Sequence, residues 1–285
     1  MVQLLERVTR VEKTAVMVDG IRVSYLRAGS GPALVMIHGL VGSARHWDEN
    51  VKALAEIRTV YAPDAVNMGE SERVRGIDPG IEAEVRRVVK WMDALGIASA
   101  DIVAHSHGAS IAIVLAARHP QRVRKLALFA PANPYCALGL PQVRFYGTFL
   151  GGIFARWIIP LMPRFMYRRS LARLYGDPSR LSDSAFEGSV FGLTRPTIAH
   201  IVDVMRGWSG DMAVLEASLR ELDGARTLLL WGDMDRAVSL ESGRRLAGII
   251  GARLVVVEGT GHMPFQEMPE ECNAVLLRWL EPFDL

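Results

Sequence analysis

The chain alternates between short apolar runs and helix-patterned segments, and that alternation restricts its fold more than any single motif. "ALVMIHG" (33–39), "RTVYAPD" (58–64), "DIVAHS" (101–106), "VRKLALFAPA" (123–132), "RTLLLWGD" (226–233) and "RLVVVEG" (253–259) each read as buried strands. Helical stretches separate them. One covers 43–56 and starts at a capping Ser43. Another covers 81–97, where Val85, Val88, Val89, Met92 and Leu95 share one face and Gly96 closes the helix. Others cover 109–120, ended by Pro120, then 239–250, and 269–282 with Pro269 near its first turn. Strands alternating with helices of this length pair in parallel, and the helices cover both faces. The expected fold class is therefore α/β, a mostly parallel sheet with helices on both faces. Only "TAVMVDGIRVSYLRAG" (14–29) departs at the start, where Asp19-Gly20 predicts a tight hairpin.

From 134 to 210 the alternation stops. Helical pieces there are punctuated by Pro141, Gly151, Gly152, Pro160 and Pro163. This segment is expected to be a helical cap inserted into a core formed by 1–133 and 211–285. A chain of 285 residues with 50% hydrophobic residues and a net charge of +2 is neither disordered nor a general nucleic-acid binder. Cys136 and Cys272 lie far apart with no framework spacing, as expected of reduced thiols in a cytoplasmic protein. Charge at Glu6 and Arg7 comes too early for a secretory apolar segment. No run reaches about 18 uninterrupted apolar residues, so no membrane-spanning helix is expected.

Three chemically capable residues fall at strand ends: Ser106 after "DIVAH", Asp235 after "TLLLWGDM" and His262 after "LVVVEGTG". In a doubly wound sheet, ligand chemistry sits beyond the carboxyl ends of the strands. A serine hydroxyl becomes a competent nucleophile only beside a base, best an imidazole oriented by a carboxylate. Around Ser106, "AHSHG" places Ala104 and Gly108 two residues to either side, where a sharp strand-to-helix turn tolerates only small side chains. His105 and His107 could be read instead as metal ligands. The turn reverses the chain between them and no further ligand follows at metal-site spacing, so no metal is expected. "AGSGP" (28–32) lacks the following helix of a phosphate cradle, and no cofactor is expected.

With these residues in place, the chain resembles the α/β-hydrolase family of serine hydrolases. The resemblance rests on "ALVMIHGLVGS", "DAVNMGES", "VAHSHGAS", "LLLWGDMDRAV" and "VEGTGHMPFQEMPEECNAVLLRWL" in that order, and covers the chain except the insertion. It implies the α/β-hydrolase fold, with Ser106 as nucleophile, His262 as general base and then acid, and Asp235 orienting His262. Its Gly-x-x-Asp spacing from Gly232 favours Asp235 over Asp233. It also implies an oxyanion hole from the backbone N–H groups of Leu40 and His107. Ala104 and Asn67 stand where the family often carries Gly; Asn too tolerates positive φ. Ser at 106 instead of Asp argues against dehalogenase and epoxide-hydrolase activity. "HGLVGS" lacks the Gly-Pro loop associated with carbon–carbon-bond hydrolases.

Between Pro131 and Tyr175 there are six arginines and no acidic residue, interleaved with aromatics. Three readings stay open: aromatics packing the cap onto the core while arginines reach water, an apolar lid over the substrate, or a helix at a membrane surface. His38, Phe145, Phe149 and Trp157 are the candidate substrate-binding residues, with His38 better suited to holding the oxyanion loop. The expected activity is hydrolysis of a small-to-medium apolar carboxylic ester through an acyl-enzyme. Cleavage of a carbon–carbon bond, lactone or amide by the same triad is the alternative, and a non-catalytic small-ligand receptor is the alternative of another class. The expected partner is the small substrate, with no nucleic acid and at most weak membrane-surface association. The sequence leaves the oligomeric state open.

Overall fold

In the computed structural model, which describes residues 10–136 and 140–281, eight strands form one sheet. They are β1 (Glu12–Val18), β2 (Ile21–Ala28), β3 (Ala33–Ile37), β4 (Thr59–Pro63), β5 (Ala100–His105), β6 (Val123–Phe129), β7 (Thr227–Gly232) and β8 (Arg253–Val257). Their order is β1-β2-β4-β3-β5-β6-β7-β8. From β4 to β8 every pairing is parallel, and β2 alone runs against its neighbours. The β1–β2 hairpin turns at Asp19 and Gly20, with φ of +50° and +80°, as the Asp-Gly pair predicts.

Period-two alternation sorts the strand side chains onto two faces. Val35, Ile37, Ile102, Leu126, Leu128 and Leu229 point to one side, against α2 (Ile81–Ala94), α3 (Ser106–Arg118) and α9 (Leu240–Ile250). Leu34, Met36, Val103, Phe129, Leu228 and Leu230 point to the other, against α1 (Asp48–Leu54) and α11 (Pro269–Leu280). A single turn, α10 (Pro264–Glu267), precedes α11. The chain steps from β3 outward to β4 and then returns to β5 on the other side of β3. That reversal leaves a crevice at the carboxyl ends of β3 and β5, the place where such sheets bind ligands.

Between β6 and β7 lie α4 (Leu140–Gly147), α5 (Phe149–Trp157), α6 (Arg164–Ala172), α7 (Asp183–Val190) and α8 (Arg195–Ser218). The boundary expected at 210 falls inside α8. This helix starts at Thr194, whose hydroxyl oxygen accepts from Thr197 N–H, and its later residues Met212 and Leu215 pack in the main core. One helix thus belongs to both the insertion and the core. The opening stretch with Glu6 and Arg7 lies outside the described residues. Among the described residues no helix is long and apolar enough to cross a membrane.

The region after β3 differs from its sequence reading. Ser43 stands at the N-cap of a short 3-10 turn (Ala44–Trp47) that precedes α1, but its side chain caps no N–H; its hydroxyl donates to the Gly188 carbonyl at 2.9 Å instead. Next to it His46 Nε2 meets Ser189 Oγ at 3.0 Å, so two polar contacts tie this loop to α7. His46 is buried, and burial first, then its His38 and His262 neighbours, lowers its pKa from 6.5 to about 3. The unfolded chain therefore binds a proton here that the folded chain refuses. The resulting stability is complete above pH 6.5 and drains as pH falls toward 3. In urea titrations across this range, His46 should contribute a loss of up to about 1.4 kcal/mol per pH unit, which His46→Gln removes.

Candidate active site

Ser106 opens α3 with φ of +52°, a left-handed conformation that costs a non-glycine residue roughly 1–2 kcal/mol. What holds it there is close packing on both sides. Ala104 is fully buried in β5, and a Cβ at Gly108 would sit 2.2 Å from the His38 carbonyl oxygen. A Cβ at Gly39 would lie 2.9 Å from His105 Nδ1 and 3.3 Å from Ser106 Cβ. The loop after β3 and the turn after β5 therefore touch at glycine. His38 braces that loop: its Nε2 accepts from Ala65 N–H at 3.0 Å, and its Nδ1–H donates to the Gly39 carbonyl at 2.7 Å. Burial lowers the His38 pKa, which favours this neutral ring. Leu40 and His107 both line the cavity next to this turn, and His107 stands in the first turn of α3, where backbone N–H groups have no intrahelical acceptor.

The other two candidates reach the serine. His262 Nε2 accepts from Ser106 Oγ at 3.0 Å, while His262 Nδ1–H donates to Asp235 Oδ2 at 2.8 Å. The second Asp235 oxygen accepts from Ala237 N–H at 2.8 Å and Val238 N–H at 2.9 Å, which fixes the carboxylate's orientation. Asp233, its rival in "WGDMD", is exposed and accepts from Gly259 N–H at 2.7 Å, bracing the turn that precedes His262. Asn67 holds φ of +71°, and its side-chain oxygen accepts from Val74 N–H at 2.7 Å.

His105 and His107 diverge. His105 Nε2–H donates to the His262 carbonyl at 3.0 Å, and the two rings lie 4.6 Å apart. Burial first, then the nearby His262 ring, pushes the His105 pKa well down, which favours a neutral His105. His107 stacks on Trp208 with centroids 6.1 Å apart, and burial lowers its pKa to about 4. Among the described residues, no group of three or more His, Cys, Asp or Glu side chains gathers to hold a metal.

The loop carrying His262 is also tied to the inserted helices by contacts that sequence reasoning missed. His262 N–H donates to the Leu174 carbonyl at 2.6 Å. Glu267 accepts Gly261 N–H at 2.7 Å on one oxygen, and Gly176 N–H at 2.9 Å and Asp177 N–H at 3.3 Å on the other. The buried Tyr175 donates its hydroxyl to Gln266 Oε1 at 2.6 Å. The glycines were the only available signal: a Cβ at Gly261 would meet the Leu174 carbonyl oxygen at 2.1 Å.

A cavity of about 870 Å³, counting its open mouth, runs from Leu40 and His107 to the β1–β2 hairpin. Its walls are mostly apolar, including Val23, Val66, Met68, Trp91 and Ile111, and His38 is among the lining residues. Its charged lining is net acidic. Asp19, Asp64 and Glu84 face one arginine, Arg87, which already holds Glu84 at 2.6 Å. Burial alone would raise the Glu84 pKa, but the hydrogen bond from His200 and the Arg87 guanidinium outweigh it and lower it to about 2.

Phe145, Phe149 and Trp157 do not line this cavity, which corrects their expected placement. They are 46%, 76% and 55% exposed. For Phe149 and Trp157 the reason is the tight approach of α5 to its neighbours: a Cβ at Gly151 would lie 1.8 Å from the Phe145 carbonyl oxygen, and one at Gly152 would lie 2.6 Å from Arg206 Nη2. Only small side chains fit inward, so the large ones turn out. Trp157 instead edges a separate cleft with Arg75, Arg156 and Arg195.

Residues 32–269 match the sequence profile of the alpha/beta hydrolase fold. The chain is 31% identical over 257 residues to a 2-hydroxymuconate semialdehyde hydrolase from a Pseudomonas species, spanning 87% of this chain and 86% of that one. It is 30% identical over 257 residues to a 2-hydroxy-6-oxo-2,4-heptadienoate hydrolase from Pseudomonas putida, spanning 87% and 88%. Among solved structures, a membrane phospholipase A described as a bacterial virulence factor aligns with a TM-score of 0.78 at 26% identity, covering 95% of this chain and 86% of that one.

The contact at Gly108 has a direct consequence for stability. Gly108→Ala should destabilise the fold by about 2 kcal/mol or more, because the new methyl meets backbone rather than a movable side chain. Chemical denaturation of that variant beside wild type measures the loss.

Proposed function

The chain belongs to the alpha/beta hydrolase family, and we propose that it is a serine hydrolase that cleaves neutral carboxylic esters with an apolar acyl part. The observation that carries this reading is the hydrogen-bonded line Asp235–His262–Ser106, at 2.8 and 3.0 Å, beside a largely apolar cavity. Ser106 Oγ attacks the ester carbonyl while His262 Nε2 takes its proton. The oxyanion accepts hydrogen bonds from Leu40 and His107 N–H. His262 returns the proton to the leaving alcohol, and the acyl group remains on Ser106. The same imidazole then deprotonates a water, which attacks the acyl-enzyme, and the acid leaves with Ser106 restored. Asp235 holds the Nδ1–H tautomer that leaves Nε2 free to act.

A second reading, hydrolysis of a carbon–carbon bond, is favoured by the two Pseudomonas relatives, one of them named for a heptadienoate substrate. A dienoate carries a carboxylate, and a carboxylate buried in this cavity needs an available cation. The lining offers only Arg87, which Glu84 already neutralises, with Asp19 and Asp64 adding repulsion. That balance favours a neutral ester.

A substrate panel separates the readings. Mid-length p-nitrophenyl esters should be turned over well above the buffer rate, and a neutral ester should exceed its ω-carboxylated analogue in kcat/KM by about tenfold or more. Faster turnover of a ring-opened dienoate than of any ester would assign the second reading, and no turnover of any member would leave a ligand-binding protein. Ser106→Ala should lower kcat by roughly 10⁴–10⁶-fold with folding intact. Asp235→Asn should cost about 10⁴-fold while Asp233→Asn stays within about threefold of wild type. Equal losses at the two aspartates would overturn the assignment of Asp235.

A further inference from the structure

The outer face of α5 and α6 inverts the usual arrangement of an amphipathic helix. In α5, Gly151, Gly152 and Ala155 face the protein, with Ala155 packed on Ile198 and Val202 of α8. Phe149, Leu150, Ile153, Phe154 and Trp157 face outward, Phe149 and Leu150 at 76% and 73% exposure. The face continues through Ile158 and Leu161 into Phe165 and Met166 of α6, where Leu161 and Phe165 are each 70% exposed. A continuous run of large exposed apolar side chains on successive turns needs an occupant, because isolated exposed apolar residues are ordinary but a cluster of this kind is not.

Charge identifies the occupant. The segment from 131 to 175 has six arginines and no acidic residue. Arg156, Arg164 and Arg168 pair with Asp203, Glu187 and Asp183 from α7 and α8. No carboxylate of the described residues pairs with Arg144, Arg169 or Arg173, all exposed. The cleft lined by Arg75, Arg195 and the Arg156–Asp203 pair, which leaves it net positive, opens beside Trp157, a member of the apolar face. A second copy docked face to face would set these arginines against their own copies, whereas a lipid surface accepts the apolar side chains below its headgroups and meets the arginines with phosphate.

We propose that the outward face of α5 and α6 docks the protein onto an anionic lipid bilayer. The apolar side chains enter the headgroup–acyl boundary, and Arg144, Arg169, Arg173 and the arginine cleft lie at phosphate level. This surface does not depend on the catalytic reading above.

Co-sedimentation with vesicles tests it, using phosphatidylcholine alone and phosphatidylcholine mixed with phosphatidylglycerol. Wild type and Ser106→Ala should both bind the mixed vesicles, more weakly as salt rises and more weakly still to phosphatidylcholine alone. Leu150→Ser combined with Phe165→Ser should weaken binding by about tenfold or more, with turnover of a water-soluble ester unchanged. Arg169→Gln combined with Arg173→Gln should erase much of the preference for anionic vesicles. Absence of vesicle binding by wild type, or undiminished binding by the Leu150/Phe165 double variant, would overturn the proposal. So would a concentration-dependent dimer that the double variant abolishes while vesicles capture neither protein. Because Ser106→Ala binds without chemistry and the soluble ester reports chemistry without a surface, failure of one reading is distinguishable from failure of the other.

Discussion

The site depends on one close approach, the third residue of α3 against the carbonyl of His38. With a Cβ at 108 only 2.2 Å from that oxygen, α3 can begin this near β3 only if the residue is glycine. The approach brings the loop after β3 beside the turn after β5, across the point where the strand order reverses. It also makes the left-handed Ser106 sustainable, because packing on both sides overdetermines a conformation that would otherwise relax. Gly39 of that loop and the Ser106 side chain are in close contact as a result.

The remaining side chains are delivered from far along the chain and are held by polar contacts suited to a dry interior. Asp235 is anchored by two backbone N–H groups in addition to the His262 imidazole. His38, His46, His105 and His107 are all buried with lowered pKa, so the interior around the serine favours neutral rings over cations. The same low-dielectric setting makes the paired Glu84 and Arg87 poor recognition groups for a second charge.

The alternation of apolar runs and helical stretches was enough to read the sheet, because period-two burial on both faces leaves a direct trace in the letters. Ser106, Asp235 and His262 stood out for a related reason, since each lies within five residues of the end of a strand that the pattern exposes. Glu267, Tyr175 and the His105 link to the His262 carbonyl were not, because a hydrogen bond across 90 or more residues leaves no local pattern. Phe149 and Trp157 misled in another way. Apolar letters predict burial, but in α5 the glycines decide which side can approach a neighbour, and the aromatics take the side left over. The expected cap boundary at 210 falls within α8, which carries no break there for the letters to reveal.

The contacts at Leu174, Gly176 and Asp177 set a mechanical limit on the inserted helices. Their partners are the backbone of His262 and the Glu267 carboxylate that also holds Gly261. A swing of the whole insertion as one rigid arm would drag the imidazole away from Ser106. Any motion that admits a substrate and keeps the histidine in register must therefore pivot ahead of Leu174. Residues 174–177 are thus a fixed mount between α6 and the loop that carries His262.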